Sequence, residues 1–196
     1  MFDYKIALGI TAVIMGILSY IPYFRDVFTG KTKPHAFTWF VWSLLTAIAF
    51  FAQLIEHAGA GAWVTATTSL FCFIVFLFAL VRGHKDFPIV DWLCLASALF
   101  SLALWFFTKN PLVAIILITL TDAIAFIPTF RKSFSHPWEE TIMLYAIAAI
   151  KFALGLFALE TINLTTYLYP ASLVIMNSLF TLTLFIRRKQ LKRKSV

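Results

Sequence analysis

Long apolar segments separated by short polar stretches fill almost the whole chain. A helix that spans a bilayer needs about 20 mostly apolar residues. The fourth apolar segment is the weakest because Asp91 lies near its start. The pattern predicts seven transmembrane helices and leaves no stretch for a soluble domain. The predicted spans are 6–23, 37–55, 63–81, 89–107, 112–129, 141–159 and 166–186.

The composition agrees with a membrane protein. Of the 196 residues, 61% are hydrophobic and only 13% are charged. A soluble core of this size cannot bury that much apolar surface. The sequence therefore predicts an all-α polytopic membrane protein, with lipids among its partners.

Basic residues lie almost entirely on one side of the predicted topology. With the N-terminus outside, the segments that follow helices 1, 3, 5 and 7 face the cytoplasm, while the other side holds only Lys5 and Lys109. This bias is the positive-inside distribution, and it predicts an outer N-terminus and a cytoplasmic C-terminus in the plasma (inner) membrane. The net charge of +7 is then explained by anionic lipid headgroups and does not call for nucleic acid. The basic residues of the cytoplasmic segments are Arg25, Lys31, Lys33, Arg82, Lys85, Arg131, Lys132, Arg187, Arg188, Lys189, Lys192, Arg193 and Lys194.

A short sequence motif occurs twice in similar form, as "IPYFRDVF" at 21–28 and "IPTFRKSF" at 127–134. Beyond it, "KPHAFTWFVW" aligns with "HPWEETIMLY", and "SLF" recurs at 69–71 and 178–180. Helices 1–3 thus correspond to helices 5–7, and a spare helix 4 lets both triplets keep the same orientation.

This correspondence predicts two parallel three-helix repeats, a known transporter plan. The predicted units are a first repeat at 1–84, a linker helix at 85–110, a second repeat at 111–187 and a basic cytoplasmic tail at 188–196.

The layout resembles the SWEET and PQ-loop transporter superfamily, which includes sugar facilitators, amino-acid exporters and vitamin-precursor transporters of the nicotinamide riboside type. Where a PQ-loop protein has Pro-Gln, this chain has Pro22-Tyr23 and Pro128-Thr129. The resemblance implies alternating-access transport of a small polar solute, such as a sugar, a vitamin precursor or an amino acid, by a facilitator or a proton-coupled carrier. The departure at Pro-Gln leaves the substrate open.

Four prolines and two arginines are candidates for an inner gate. The resemblance implies flexible points at Pro22, Pro34, Pro128 and Pro137, while the alternative is that these prolines only start and stop helices. Arg25 and Arg131 lie three residues past the proline of each repeated motif, at headgroup depth. They are either anchors that reach the lipid headgroups or members of an ion pair at the inner gate, with Asp26, Glu139 or Glu140 as partner.

Two charged residues fall deep inside predicted spans. Asp122 in helix 5 and Lys151 in helix 6 reach depths of roughly 12 and 15 Å from the cytoplasmic side, and such charges are costly in a bilayer. Their repeat counterparts are Gly16 and Ile48. The pair is either a structural salt bridge between helices 5 and 6 or a site for a substrate or a coupling proton.

Other candidates complete the predicted substrate site. By resemblance, Asn177 on helix 7 lines a central cavity, and its counterpart is Thr68 on helix 3. Trp42 and its counterpart Tyr145 are either aromatic cavity walls or members of an interfacial belt. Gln53 is placed toward the outer end of the cavity. The predicted substrate-binding residues are therefore Asn177, Thr68, Trp42, Tyr145, Asp122, Lys151 and Gln53.

The chain shows no metal, cofactor or catalytic motif. Cys72 and Cys94 lie in predicted helices without clustered histidines, and no HExxH, paired-aspartate or Ser-His arrangement is present. We therefore expect a protein that is not an enzyme and that has a small molecule as its partner. The architecture is also compatible with a homo-oligomer. The alternative function is a seven-helix receptor similar to the KDEL receptor, although Lys151 is the only deep basic residue.

Overall fold

The computed structural model describes residues 3–83 and 89–194, and almost all of these residues are helical. Each predicted apolar window falls on one α-helix. A 3-10 turn at Gly59–Ala62 precedes α3, and another at Pro137–Glu139 precedes α6. The side chains of Asp91, Pro128, Lys132 and residues 192–194 lie outside the described part. The helices are α1 Tyr4–Phe28, α2 Ala36–Ile55, α3 Trp63–Arg82, α4 Ile89–Thr108, α5 Pro111–Ser135, α6 Ile142–Phe157 and α7 Leu164–Lys194.

Five described helical segments are long and apolar enough to cross a membrane, and two shorter apolar helices are Trp92–Thr108 and Ile142–Phe157. Large apolar side chains cover the outside of the bundle, as at Leu70, Leu102 and Leu179. An outer surface of this kind is stable in contact with lipid tails, whereas its exposure to water is unfavourable. The chain is therefore an integral membrane protein built from helices. The five longer segments are Tyr4–Phe28, Ala36–Ile55, Gly59–Arg82, Pro111–Ser135 and Leu164–Leu191.

The helices pack in two groups of three with one helix outside them. α3 lies between α1 and α2, and α7 lies between α5 and α6. Across the groups, α1 packs against α6 and α2 packs against α5. α4 packs on the outside of α5 and α2. The six helices of the two groups thus enclose a common centre.

One end of the bundle collects basic side chains, and we call it the basic end. There Arg82 on α3 lies over the Phe28 ring on α1, 5.3 Å from its centroid. Arg187 on α7 donates to the carbonyl oxygen of Phe134 on α5, at 2.7 and 2.9 Å. The ends of α1, α3, α5 and α7 therefore meet at this basic end, as the bias of the sequence predicted.

The opposite end of the bundle is closed by small residues. A Cβ added at Gly61 would lie 2.7 Å from the Gly155 carbonyl oxygen, and one added at Gly155 would lie 2.6 Å from Val64 Cγ1. Glycine is required at both positions because the turn before α3 touches α6 directly. Close backbone approach through small residues is a common way for membrane helices to associate.

Candidate functional site

A cavity of about 60 Å³ lies at the centre of the bundle. Aromatic rings form much of its wall, and two charged side chains reach it. All six helices of the two groups contribute, through Tyr20, Trp39, Trp42, Thr46, Thr68, Cys72, Asp122, Phe126, Leu144, Tyr145, Ala148, Lys151, Phe152, Tyr169, Leu173 and Asn177.

Lys151 enters this cavity from α6 and is 2% exposed. Its Nζ donates to Thr68 Oγ1 at 2.8 Å, and that hydroxyl donates in turn to the Val64 carbonyl at 2.6 Å. The ammonium also lies 5.6 Å from the centroid of the Tyr20 ring and 5.1 Å from that of Phe152. Cation–π contacts at this range reduce the cost of burying the charge but do not neutralise it.

The Lys151 side chain has space because α1 carries a glycine beside its Cδ and Nζ atoms. A Cβ added at Gly16 would lie 3.2 Å from Lys151 Cδ and 3.5 Å from Nζ. Gly16 is buried and is the repeat counterpart of Asp122 in the sequence alignment. At the aligned position, α5 therefore has the carboxylate of Asp122, whereas α1 has a glycine that leaves space for the Lys151 side chain.

Asp122 reaches the same cavity from α5 and is 1% exposed. The Tyr169 hydroxyl is the polar group beside its carboxylate, but neither that hydroxyl nor Asp122 Oδ2 makes a well-aligned hydrogen bond among the described residues. Trp42 Nε1, in the same wall, is also without a partner there. Buried polar atoms in native proteins are nearly always hydrogen-bonded. Three such atoms around one cavity give it a lining that can hydrogen-bond to polar groups.

Of the two interpretations of Asp122 and Lys151, the structural salt bridge is wrong. The two side chains form no ion pair, since Lys151 bonds to Thr68 while Asp122 Oδ2 is unpartnered among the described residues. The prediction assumed that helices 5 and 6 are neighbours, whereas α7 lies between them. The two charges face one cavity without neutralising each other.

The structure brings six of the seven predicted binding residues to this cavity, and Gln53 is the exception. Gln53 is fully buried and its Nε2 donates to the Thr166 carbonyl at 3.0 Å, which ties α2 to α7. It lies eleven residues after Trp42 on α2, about 16 Å farther along the axis. Gln53 is thus a helix contact near the opposite end.

The aromatic residues of the site are buried inside the bundle. Trp42 and Tyr145 are 8% and 5% exposed, so the belt interpretation is wrong for both. The Trp42 ring packs against Phe126 with centroids 5.3 Å apart, and Tyr145 packs against Phe180 at 4.4 Å. Asn177 also lies in the wall, where its Nδ2 donates to the Leu173 carbonyl at 2.7 Å.

The four candidate hinge prolines occupy different settings. Pro22 lies inside α1, which continues to Phe28 and so does not end at the proline. Pro34 is buried in the loop before α2, and Pro137 begins the 3-10 turn before α6. The side chain of Pro128 lies outside the described residues. None of the three described prolines lines the cavity.

Arg25 belongs to a polar cluster at the basic end. Its guanidinium lies 3.3 Å from the Asp26 carboxylate, but its side chain is 71% exposed. Asp26 itself is buried and accepts a hydrogen bond from Thr141 Oγ1 at 2.9 Å, which joins α1 to the start of α6. Thr32 Oγ1 lies 3.1 Å from the same threonine hydroxyl. Arg131 is exposed on α5.

Sequence reasoning missed several residues of the cavity wall. Tyr20 and Phe126 stand at the repeat offset of 106 that the "IP" motifs define, so the alignment contains their signal. Tyr169 and Leu173 precede Asn177 by eight and four residues on α7, a spacing that places them on one helix face. Cys72 follows Thr68 by one turn of α3 in the same way.

The chain matches no family model, no curated protein and no solved structure. Among the described residues, no group of three histidine, cysteine, aspartate or glutamate side chains is arranged to hold a metal ion. A functional hypothesis must therefore come from the cavity and from the helices that surround it.

Proposed function

We propose that the protein is a membrane transporter that moves a small polar solute by alternating access between two three-helix repeats. The observation that carries this proposal is the central cavity, where Asp122 and Lys151 are buried without pairing with each other. Charges at this depth are costly in a membrane protein and usually mark a substrate or ion pathway. In this proposal the N-terminus is outside and the basic end faces the cytoplasm.

The helix contacts support a twofold relation between the groups. If α1, α2 and α3 are exchanged with α5, α6 and α7, the pattern of neighbours is preserved. The third helix lies between the other two in each group, and the α1–α6 contact corresponds to the α5–α2 contact. The weaker α2–α7 and α3–α6 contacts also exchange with each other. The linker helix α4 has no counterpart.

The cavity wall supports the same relation through equivalent residues. Three aligned pairs line it together: Tyr20 with Phe126, Trp42 with Tyr145, and Thr68 with Asn177. An axis that relates the two repeats would pass through the cavity. A site between halves and near the midplane is the arrangement expected of transporters built from repeats.

The size of the cavity supports a closed state of the transport cycle. Its volume of about 60 Å³ has room for a few water molecules but is below the roughly 300–1,000 Å³ of drug-sized ligand pockets. Binding of a sugar or a riboside would need the halves to separate. The Asp26–Thr141 contact at the basic end and the Gln53–Thr166 contact near the opposite end are among the polar bonds between the groups that such rocking would break.

Pro22 provides a flexible point in α1 within this scheme. Proline has no N–H to donate to the preceding turn, so α1 is weakened there although it continues to Phe28. The missing hydrogen bond is the one from position 22 to the Leu18 carbonyl, so the weakened turn contains the cavity residue Tyr20. A bend at Pro22 would move the basic end of α1 relative to the cavity wall.

The proposal is tested by uptake into proteoliposomes that contain the purified full chain. The panel holds labelled sugars, nucleosides and amino acids, each measured with and without an inward proton gradient. We expect saturable uptake of one solute class above the level of protein-free vesicles. Stimulation by the gradient would identify a proton-coupled carrier, and uptake that ignores the gradient would identify a facilitator.

Two outcomes of this experiment would overturn the proposal. If no solute enters above the protein-free level, transport of these classes is excluded. If a solute binds the purified protein tightly but does not enter the vesicles, the receptor alternative is favoured. The Leu18→Ala variant, changed on the lipid-facing side of α1, is the control for general effects of mutation on the bundle.

A further inference from the structure

The two charges of the cavity point to the chemistry of the solute. We infer that the site takes a zwitterion, namely a small neutral α-amino acid, with Lys151 binding its carboxylate and Asp122 binding its ammonium group. This inference rests on the proposed function, because it concerns the same cavity. It reduces the candidate solutes from sugars, vitamin precursors and amino acids to amino acids alone.

The two charges of the cavity wall are not compensated by each other. The Lys151 and Asp122 side chains are 2% and 1% exposed, reach one cavity and form no ion pair. A buried charge without a partner strongly destabilises a protein. A solute with one positive and one negative group is the class that compensates both charges in a single binding event.

Lys151 has the donors that a carboxylate requires. An ammonium group carries three N–H donors, and within the described residues Lys151 Nζ uses one hydrogen bond, to Thr68. That threonine hydroxyl also donates to Val64, so it holds the lysine in place without neutralising it. The remaining N–H groups are available to the two oxygens of a carboxylate, in a charge-assisted hydrogen bond.

Asp122 has the acceptors that an ammonium group requires. Its Oδ2 and the neighbouring Tyr169 oxygen are both buried at the cavity, and neither makes a well-aligned hydrogen bond among the described residues. Two oxygen atoms close together can share the donors of one ammonium group. The aromatic rings of Trp42, Phe126 and Tyr145 complete the wall and would pack against the rest of the solute.

The other solute classes leave a charge uncompensated. A sugar or nucleoside is neutral and would bury both Asp122 and Lys151 without a counter-charge. A simple carboxylate would satisfy Lys151 alone, and an amine would satisfy Asp122 alone. The volume of about 60 Å³ also favours a solute with a small side chain.

The test is equilibrium binding to the purified full chain in lipid nanodiscs. The probes are glycine, L-alanine and L-leucine, together with two analogues of L-alanine that match it in shape. L-lactate replaces the ammonium group with a hydroxyl, and L-alaninamide replaces the carboxylate with an amide. We expect an amino acid to bind and each analogue to bind about 30-fold more weakly or worse, since one buried charge then lacks its partner.

Two variants turn this into a test of which residue recognises which group. With Lys151→Met, the preference for L-alanine over L-alaninamide should disappear or reverse, because no cation remains for the carboxylate. With Asp122→Asn, the preference for L-alanine over L-lactate should disappear or reverse. Thr121→Val and Ile150→Ala are adjacent controls outside the cavity and should keep both preferences.

The outcomes separate this inference from the proposed function. Binding and uptake of a sugar or nucleoside, with no binding of the amino acids, would overturn the zwitterion and leave transport standing. Binding of an amino acid without uptake would support the zwitterion and overturn transport. If both variants lose L-alanine but keep their preference between it and the analogues, the assignment of Lys151 and Asp122 is wrong.

Discussion

The half of the cavity wall that α1–α3 supply differs from the half that α5–α7 supply. The first half is uncharged and consists of Tyr20, Trp39, Trp42, Thr46, Thr68 and Cys72. The second half contains both charges, Asp122 and Lys151, together with aromatic and aliphatic side chains. Three aligned pairs supply rings and small polar groups to both halves, whereas the charge comes from one side.

The two halves share aligned wall positions, but the charge lies on one side only. The aligned counterparts of Asp122 and Lys151 are Gly16 and Ile48. Gly16 is not a passive counterpart, because its missing side chain gives Lys151 its space. In the transporter that we propose, the first half shapes the site and the second half selects the solute.

Removing either charge should have the largest effect. Lys151→Met and Asp122→Asn should each lower the initial uptake rate by about 100-fold or more, since one buried charge is left without a counter-charge. Cys72→Ala, on the uncharged half of the same wall, should lower it less than 10-fold. Size-exclusion chromatography checks that each variant is folded. Equal losses of uptake rate from substitutions in both halves would show that the charged half does not select the solute.

Filling the gap at Gly16 should have the next largest effect. Gly16→Val places methyl groups against Lys151, whose Cδ and Nζ lie 3.2 and 3.5 Å from the position of an added Cβ. This should push the ammonium away from Thr68 and reduce uptake by roughly 10-fold. Uptake kinetics measure this, with Leu18→Ala on the lipid side of α1 as control. Wild-type uptake by Gly16→Val would mean that the position of Lys151 does not depend on α1.

Substitutions at the basic end should have a smaller effect, and this effect should be on the stability of the fold. Asp26→Ala removes the acceptor of Thr141 between the two groups of helices and should lower the free energy of unfolding by about 1–3 kcal/mol. Arg25→Ala removes only a mostly exposed partner of Asp26 and should change that free energy by less than about 0.5 kcal/mol. Denaturant unfolding in detergent measures both. A larger loss for Arg25→Ala would favour the predicted gate ion pair over the buried Asp26–Thr141 contact.

Substitutions of the two buried amides, Gln53 and Asn177, should have the smallest effects, and only one of the two should change solute selectivity. Gln53→Leu removes a bond between α2 and α7 outside the cavity, so it should lower the free energy of unfolding by about 1 kcal/mol and leave solute selectivity unchanged. Asn177→Leu alters the cavity wall and should change selectivity. Competition among panel solutes during uptake measures this contrast. A change of selectivity in Gln53→Leu would return that residue to the site.

Much of the fold could be predicted because bilayer physics acts on single segments. Apolar length alone located the seven helices, and the repeated motif aligned residues such as Trp42 and Tyr145 that the structure places in one wall. The expense of intramembrane charge also identified Asp122 and Lys151 without any knowledge of packing.

The remaining features depend on which helices are neighbours. Order along the chain suggested that Lys151 pairs with Asp122, but α7 lies between their helices, and Lys151 packs beside Gly16 of α1. Depth along a helix separates Gln53 from the cavity, and polarity alone does not report depth. The end of α1 was also misplaced at Pro22, since a proline can be kept inside a membrane helix when its surroundings compensate.

The solute site between Lys151 and Asp122 is tested most directly by a crystal structure of the full chain grown with the solute that the uptake panel selects. The predicted result is solute density that contacts Lys151 Nζ and the Asp122 carboxylate together. Solute density at either end of the bundle, with Lys151 and Asp122 joined in a direct ion pair, would contradict the proposed site.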